Sequence, residues 1–198
     1  MAPPDDVGLA ERKRALRLQQ RTIRQAIGLE THAAASRSAA LHALTELPWR
    51  ERPRGALFWP LAGEIDTRPL LHALHWLGGE PLLPRMAGRG RPLTFHPWRP
   101  DLALVEGRFR VWEPPASSPA VKPDIVLAPL LAFDRAGHRL GYGAGFYDTT
   151  FASLGNVLRA GLCFACQEVD RVPADATDVP LHAVVTERGL HTLTPVGS

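Results

Sequence analysis

The chain predicts an α/β fold in which a mainly parallel sheet is covered by helices on both faces, a three-layer α/β/α arrangement in one domain spanning 1–198. Three observations carry this expectation. Apolar runs of strand length alternate with amphipathic stretches of helical period. The run Ile125–Leu131 is continuously apolar, as a strand buried on both faces must be. A length of 198 residues with 45% hydrophobic content is enough for one substantial core.

The elements follow in chain order. Leu9, Leu16, Ile23 and Ile27 recur at helical spacing, with Lys13, Arg17, Arg21 and Arg24 on other faces, so 9–27 reads as a helix. A second helix covers 31–47 and ends before Pro48. Residues 56–61 form a strand, and Gly63-Glu64 a loop. Thr67 caps a helix that tolerates Pro69 in its first turn and stops at Gly78-Gly79. Short strands at 81–84 and 93–95 precede a Pro- and Ser-rich loop at 114–123. After the strand at 125–131 come a short helix at 146–154 and strands at 158–165 and 183–186.

Composition narrows the function. The formal charge is +3, yet six of the residues from Arg12 to Arg24 are basic, which favours an anionic ligand near the opening helix. Bulk nucleic-acid coating is not required by so small a charge. No stretch approaches the ~20 consecutive apolar residues of a membrane span. No signal-peptide core is visible, and Asp5, Asp6 and Glu11 argue against a transit sequence, so the cytoplasm is the expected location. Cys163 and Cys166 have redox spacing, but with no second ligand pair buried packing is expected of them. His72 and His75 lack a third ligand and read as exposed helix residues.

Residues 129–148 are the most informative stretch. Gly141, Gly143 and Gly145 alternate between Arg139 and Asp148. Glycines without Cβ let successive N–H groups turn towards an anion. A helix starting near Phe146 would add its unpaired first-turn donors and positive dipole end. Arg139 contributes charge, Asp148 can hold a metal ion, and Tyr142, Phe146 and Tyr147 offer ring faces to a flat ligand. An ordinary tight turn would explain the glycines but not this company. In an open parallel sheet such a loop, Glu64 and Arg85 all follow strands, and they are expected to converge at the carboxyl ends.

Beside three further segments, this loop makes the chain resemble the 5-formyltetrahydrofolate cyclo-ligase, or methenyltetrahydrofolate synthetase, family. The segments are Lys13-Arg14-Ala15-Leu16-Arg17, the run from Phe58 to Thr67, and the tail containing Gln167-Glu168-Val169, Val172-Pro173, Asp178 and Val184-Val185-Thr186-Glu187. They span nearly the whole chain. The resemblance implies ATP- and Mg²⁺-dependent cyclisation of 5-formyltetrahydrofolate to 5,10-methenyltetrahydrofolate, with phosphorylation of the formyl oxygen and release of ADP and phosphate. It implies that Lys13, Arg14, Ala15, Leu16 and Arg17, with Arg139, Leu140, Gly141, Tyr142, Gly143, Ala144, Gly145, Phe146 and Tyr147, bind the nucleotide. Lys13, Arg17 and Arg139 would carry the catalytic charge. Arg17, Trp59, Glu64 and the loop from Tyr142 to Phe146 would contact folate, and Asp148 and Asp178 would hold Mg²⁺.

Arginine outnumbers lysine about tenfold in this chain, so Lys13 suits a site that wants a compact point charge. Thr149 stands where an arginine is common in bacterial members of the family, and His182 where an acid is frequent. A monomer acting on a small folate is expected. Two other readings remain open at this point: a non-catalytic nucleotide- or RNA-binding module built on the basic helix, and a sugar-phosphate isomerase or acyl transferase on a related sheet.

Overall fold

The computed structural model describes residues 4–194. Seven strands form the central sheet in the order β11-β10-β9-β6-β1-β2-β3. Its parallel centre comprises β1 (Arg54–Ala56), β2 (Glu80–Met86), β6 (Ile125–Ala128), β9 (Leu158–Leu162) and β10 (Ala183–Thr186). Antiparallel β3 (Leu93–Pro97) and β11 (Gly189–Thr192) close its edges. The expected α/β class is therefore present, with an edge strand at 189–192 that the sequence reading did not include.

The alternation of β6 explains why its whole length is apolar. Ile125 and Leu127 face a core shared with α2 (Leu29–Glu46) and α3 (Arg68–Trp76), through Ala39, Ala43, Leu70 and Leu74. Val126 and Ala128 face the opposite core, which α4 (Phe146–Leu154) covers with Phe151. Both faces of the strand are dry, so no polar residue is tolerated on it.

Three strands are shorter than their apolar runs, and in two cases proline supplies the reason. Leu57 still donates to Leu82 O, but the chain then leaves the sheet, and Pro60 has no N–H with which to continue the ladder. Pro129 likewise ends β6. Residues 130–131 lead into a separate hairpin of β7 (Ala132–Phe133) and β8 (Arg139–Leu140). The run 158–165 stops at Leu162 and turns as a 3₁₀ segment at Ala165–Gln167. That turn splits the cysteine pair: Cys163 is buried as expected, whereas Cys166 is exposed. Another small hairpin, β4 (Val105–Glu106) with β5 (Trp112–Glu113), stands beside β2.

Thr67 occupies the start of α3 but does not cap it: its hydroxyl donates to Phe58 O at 2.5 Å. Asp66 Oδ1 accepts the Arg68 N–H instead. Helix α1 (Pro4–Gln25) starts earlier than its apolar period suggested. It packs on the β7–β8 hairpin and the 165–167 turn, where Leu16 meets Ala132, Leu140 and Val172. Its basic side is thereby laid across the carboxyl end of the sheet. No helix among the described residues is long and apolar enough to cross a membrane.

Candidate functional site

The sheet order places β1 beside β6 although β2 and β3 intervene in the chain, so the strands run outwards in opposite directions from this pair. Loops leaving such a switch point diverge and leave a crevice. Here the crevice is a cleft of about 950 Å³, walled by the segment after β1, the glycine loop, α1 and the 176–179 segment. That volume lies at the upper end of the ~300–1,000 Å³ usual for ligand sites.

The glycine loop forms the cleft's floor. Gly143 has φ +100 and Gly145 φ +70, conformations that side chains rarely adopt. A Cβ on Gly143 would also sit 3.4 Å from the Arg17 guanidinium. Gly145 is the N-cap of α4. Among the described residues, no acceptor takes the N–H of any residue from Gly141 to Asp148. Exposed Gly143, Ala144 and Gly145 thus present a row of donors that continues into a helix N-terminus.

Cations line the facing wall. Arg17 Nε donates to Gly141 O at 2.9 Å, tying α1 to the loop. Lys13 Nζ lies 2.6 Å from Asp178 Oδ2 and 3.1 Å from Asp175 Oδ2. Burial pulls the Lys13 ammonium down, but its bonds to Asp178 and Asp175 outweigh that and raise it above the ordinary lysine value. Asp175 is held at about 2 by the Thr177 hydroxyl and N–H and by Lys13. Of the run Lys13–Arg17, only its two ends reach the cleft; Arg14 and Ala15 are exposed, and Leu16 faces the hairpin.

Arg139 also reaches the cleft, but its guanidinium is engaged within the protein. Nη2 donates to Asp148 Oδ1 at 2.6 Å, Nη1 donates to Val179 O, and the group lies 4.8 Å above the Phe151 ring. Asp148 Oδ1 accepts the Val179 N–H as well. Asp148 Oδ2 and Asp178 Oδ1 accept no hydrogen bond among the described residues, and both carboxylates line the cleft. Two carboxylate oxygens suit a hard divalent cation that takes its remaining ligands from water or phosphate. Among the described residues, no group of three or more His, Cys, Asp or Glu is placed to hold a metal ion.

The other end of the cleft is aromatic, and two buried acids, Glu64 and Glu113, line the cleft; Glu113 Oε1 accepts the Met86 N–H, and its Oε2 lies 3.9 Å from Arg85. Trp59 lines the aromatic end and leans on Trp98, with ring centroids 6.4 Å apart. Glu64 is 5% exposed; its Oε1 accepts the Tyr142 hydroxyl and its Oε2 the Leu61 N–H at 2.8 Å. Burial pushes the Glu64 carboxyl up, against Tyr142, the Leu61 N–H and Arg24, and it pushes the Tyr142 phenol up too. Leu140, Phe146 and Tyr147 complete the walls.

Several participants escaped the sequence reading. Arg24 donates to the Tyr142 hydroxyl at 2.8 Å, and Arg21 lies 5.9 Å from the same ring. Their signal was available: positions 17, 21 and 24 share a helical face with Lys13. Asp175, the second partner of Lys13, carried no such signal, because a loop has no period. Phe109, on the β4–β5 hairpin, lines the cleft and meets Phe146 edge-on at 6.3 Å. Thr149 is at the cleft, whereas His182 is remote and bonds Arg159.

Comparison with known proteins identifies the family. The model of the 5-formyltetrahydrofolate cyclo-ligase family matches residues 9–187. The chain is 32% identical over 186 residues to 5-formyltetrahydrofolate cyclo-ligase of Haemophilus influenzae, covering 88% of this chain and 97% of that one. It is 35% identical over 174 residues to the enzyme of the same name from Escherichia coli K12, covering 82% and 93%. The structure of Aquifex aeolicus 5,10-methenyltetrahydrofolate synthetase superposes with a TM-score of 0.80 at 27% identity, over 94% of this chain and 95% of that one. The chain therefore belongs to the 5-formyltetrahydrofolate cyclo-ligase family.

Proposed function

We propose that this protein closes 5-formyltetrahydrofolate to 5,10-methenyltetrahydrofolate at the expense of ATP, with Mg²⁺ accompanying the nucleotide. The observation that carries the reading is the unpartnered N–H row from Gly141 to Asp148, set against Lys13 and Arg17 in a cleft whose far end is aromatic. Backbone donors and paired cations suit a triphosphate, and a flat aromatic end with a buried carboxylate acceptor, Glu64, suits a pterin.

The chemistry explains why both halves are needed. Amide resonance makes the N5-formyl carbonyl unreactive, and its oxygen is a poor leaving group. Transfer of the γ-phosphoryl group to that oxygen breaks the bond to ADP and leaves an iminium carbon. N10 attacks this carbon, loses its proton, and phosphate departs with the original formyl oxygen. The protein's share is positioning and charge. The loop N–H groups and Arg17 would hold phosphate oxygens, and Lys13 would reach them by exchanging one of its carboxylate partners. Arg139 would fix Asp148 and add positive potential. Glu64 would accept from the pterin's donor nitrogens, with Trp59 against its ring. Asp148 and Asp178 would hold Mg²⁺, whose charge neutralises the phosphate oxygens.

Incubation of the pure protein with MgATP and 5-formyltetrahydrofolate, followed by the absorbance of the methenyl product, tests this reading. Product should form only when folate, ATP and Mg²⁺ are all present. Intact ATP binding with no methenyl signal would refute it.

A further inference from the structure

We infer that Arg24 is a positioning residue for the folate half of the site: from behind the cleft it fixes the Tyr142 hydroxyl and keeps the Glu64 carboxylate an acceptor. The inference rests on the proposed role of Glu64 and adds the group that makes this role possible.

Arg24 is 8% exposed and does not line the cleft, so it is not there to meet a ligand directly. A buried guanidinium is costly to keep without compensation. Its compensation is a relay. Nη1 donates to the Tyr142 hydroxyl at 2.8 Å, the guanidinium lies 5.8 Å from the Tyr142 ring centroid, and that hydroxyl gives its own proton to Glu64 Oε1. Accepting from a cation makes a hydroxyl a stronger donor, so the charge of Arg24 reaches the carboxylate through Tyr142. A Cβ on Gly63 would lie 3.9 Å from Arg24 Nε, which places the arginine against the Glu64 loop as well. One side chain of α1 thus locks the segment after β1 to the glycine loop.

The consequence concerns protonation. Glu64 is buried, and burial favours its neutral form, which would turn an acceptor into a donor facing the pterin's N–H groups. The titratable and charged groups that act on it are Arg24 from α1, Tyr142 from the glycine loop and Tyr147 from α4, with His32 from α2 at its main chain; Arg21 of α1 stands over the Tyr142 ring. His32 bonds the Glu64 main-chain oxygen at 2.7 Å rather than the carboxylate. Arg24 is the cation joined to the carboxylate through a hydrogen-bonded chain.

The test measures KM for 5-formyltetrahydrofolate, KM for ATP and kcat from pH 5 to 9 in the wild type, Arg24→Met, Arg24→Lys and Tyr142→Phe. Arg24→Met should raise the folate KM about tenfold, as loss of a charge-assisted bond would. The ATP KM should stay within about twofold, because the loop N–H groups are untouched. The pH below which folate binding fails should rise by about one unit. Arg24→Lys, which restores the charge and a donor, should recover most of both effects. Tyr142→Phe, which cuts the relay, should move folate KM and pH midpoint in the same direction, and it decides the matter if Arg24→Met does not fold. Wild-type values for folate KM and pH midpoint in the folded variants overturn the inference alone. A wild type that neither binds nor turns over folate overturns the proposed function.

Discussion

Replacement of Arg139 by methionine separates a phosphate-binding arginine from one that holds the site together. The wild-type side chain is 4% exposed, and its guanidinium is committed to Asp148, to Val179 O and to the face of Phe151. Removing one member of a buried ion pair costs about 3–5 kcal/mol, because the survivor keeps its desolvation penalty without its partner. Asp148 is 28% exposed, so water screens part of this and the lower end, about 3 kcal/mol, is appropriate. Loss of the cation over Phe151 adds up to about 1 kcal/mol, partly offset by the methionine's own packing. At about 2–4 °C per kcal/mol for a chain of this size, Tm should fall by about 6–16 °C. Calorimetry at pH 7 without nucleotide reads this directly. Adding Asp148→Asn to Arg139→Met removes the stranded carboxylate and should restore part of the loss, a non-additivity expected of contacting residues. If Arg139→Met melts within about 2 °C of the wild type while its ATP KM rises steeply, the arginine is a free phosphate ligand and the reasoning fails.

Two further perturbations probe the loop and the lysine clamp. Gly143→Val forces a branched side chain to φ +100 and 3.4 Å from the Arg17 guanidinium; affinity for ADP, measured by titration calorimetry, should fall by more than about tenfold. Wild-type affinity would show that the N–H row is not the binding surface. Asp175, held at about 2 against an ordinary 3.8, contributes stability that is present above 3.8 and lost as pH falls towards 2. Asp175→Asn should therefore lack that part of the acid limb, and superimposable acid-unfolding curves would remove Asp175 from the clamp.

What the sequence disclosed, and what it hid, divides along the distinction between periodic and aperiodic chain. The i, i+4 spacing of Lys13 and Arg17 was legible because a helix repeats, and both residues face the cleft. The alternate glycines of 141–145 were legible because few backbones need them, and two of the three have positive φ. The β7–β8 hairpin was hidden because residues 130–133 are as apolar as the strand preceding them; only Pro129, read as part of that run, marks the change of sheet. Arg139 read as a free cation because its partner Asp148, nine residues on, carried an equally good reading as a metal ligand. In the fold the two carboxylate oxygens divide these tasks: Oδ1 takes Arg139, and Oδ2 has no protein partner among the described residues.

The polarity of the cleft follows from a single helix laid across the sheet's switch point. Lys13 and Arg24 are eleven positions apart, about 16 Å along an α-helix axis. At the Lys13 end stand Asp175 and Asp178; at the Arg24 end stand Tyr142 and Glu64; Arg17, between them, grips the glycine loop at Gly141. The separation of the acidic, cation-bearing end from the aromatic, acceptor-bearing end is therefore set by helix geometry. The sheet alone would not fix it, because the segment after β1 leaves its strand as irregular chain and the glycine loop leaves the separate β7–β8 hairpin. A rigid helix that touches both ends fixes the length of the cleft between the glycine loop and the segment after β1, as the proposed in-line transfer between two bound molecules would require. This accounts for a basic stripe that continues beyond Lys13 and Arg17 to Arg24, a buried residue that does not line the cleft.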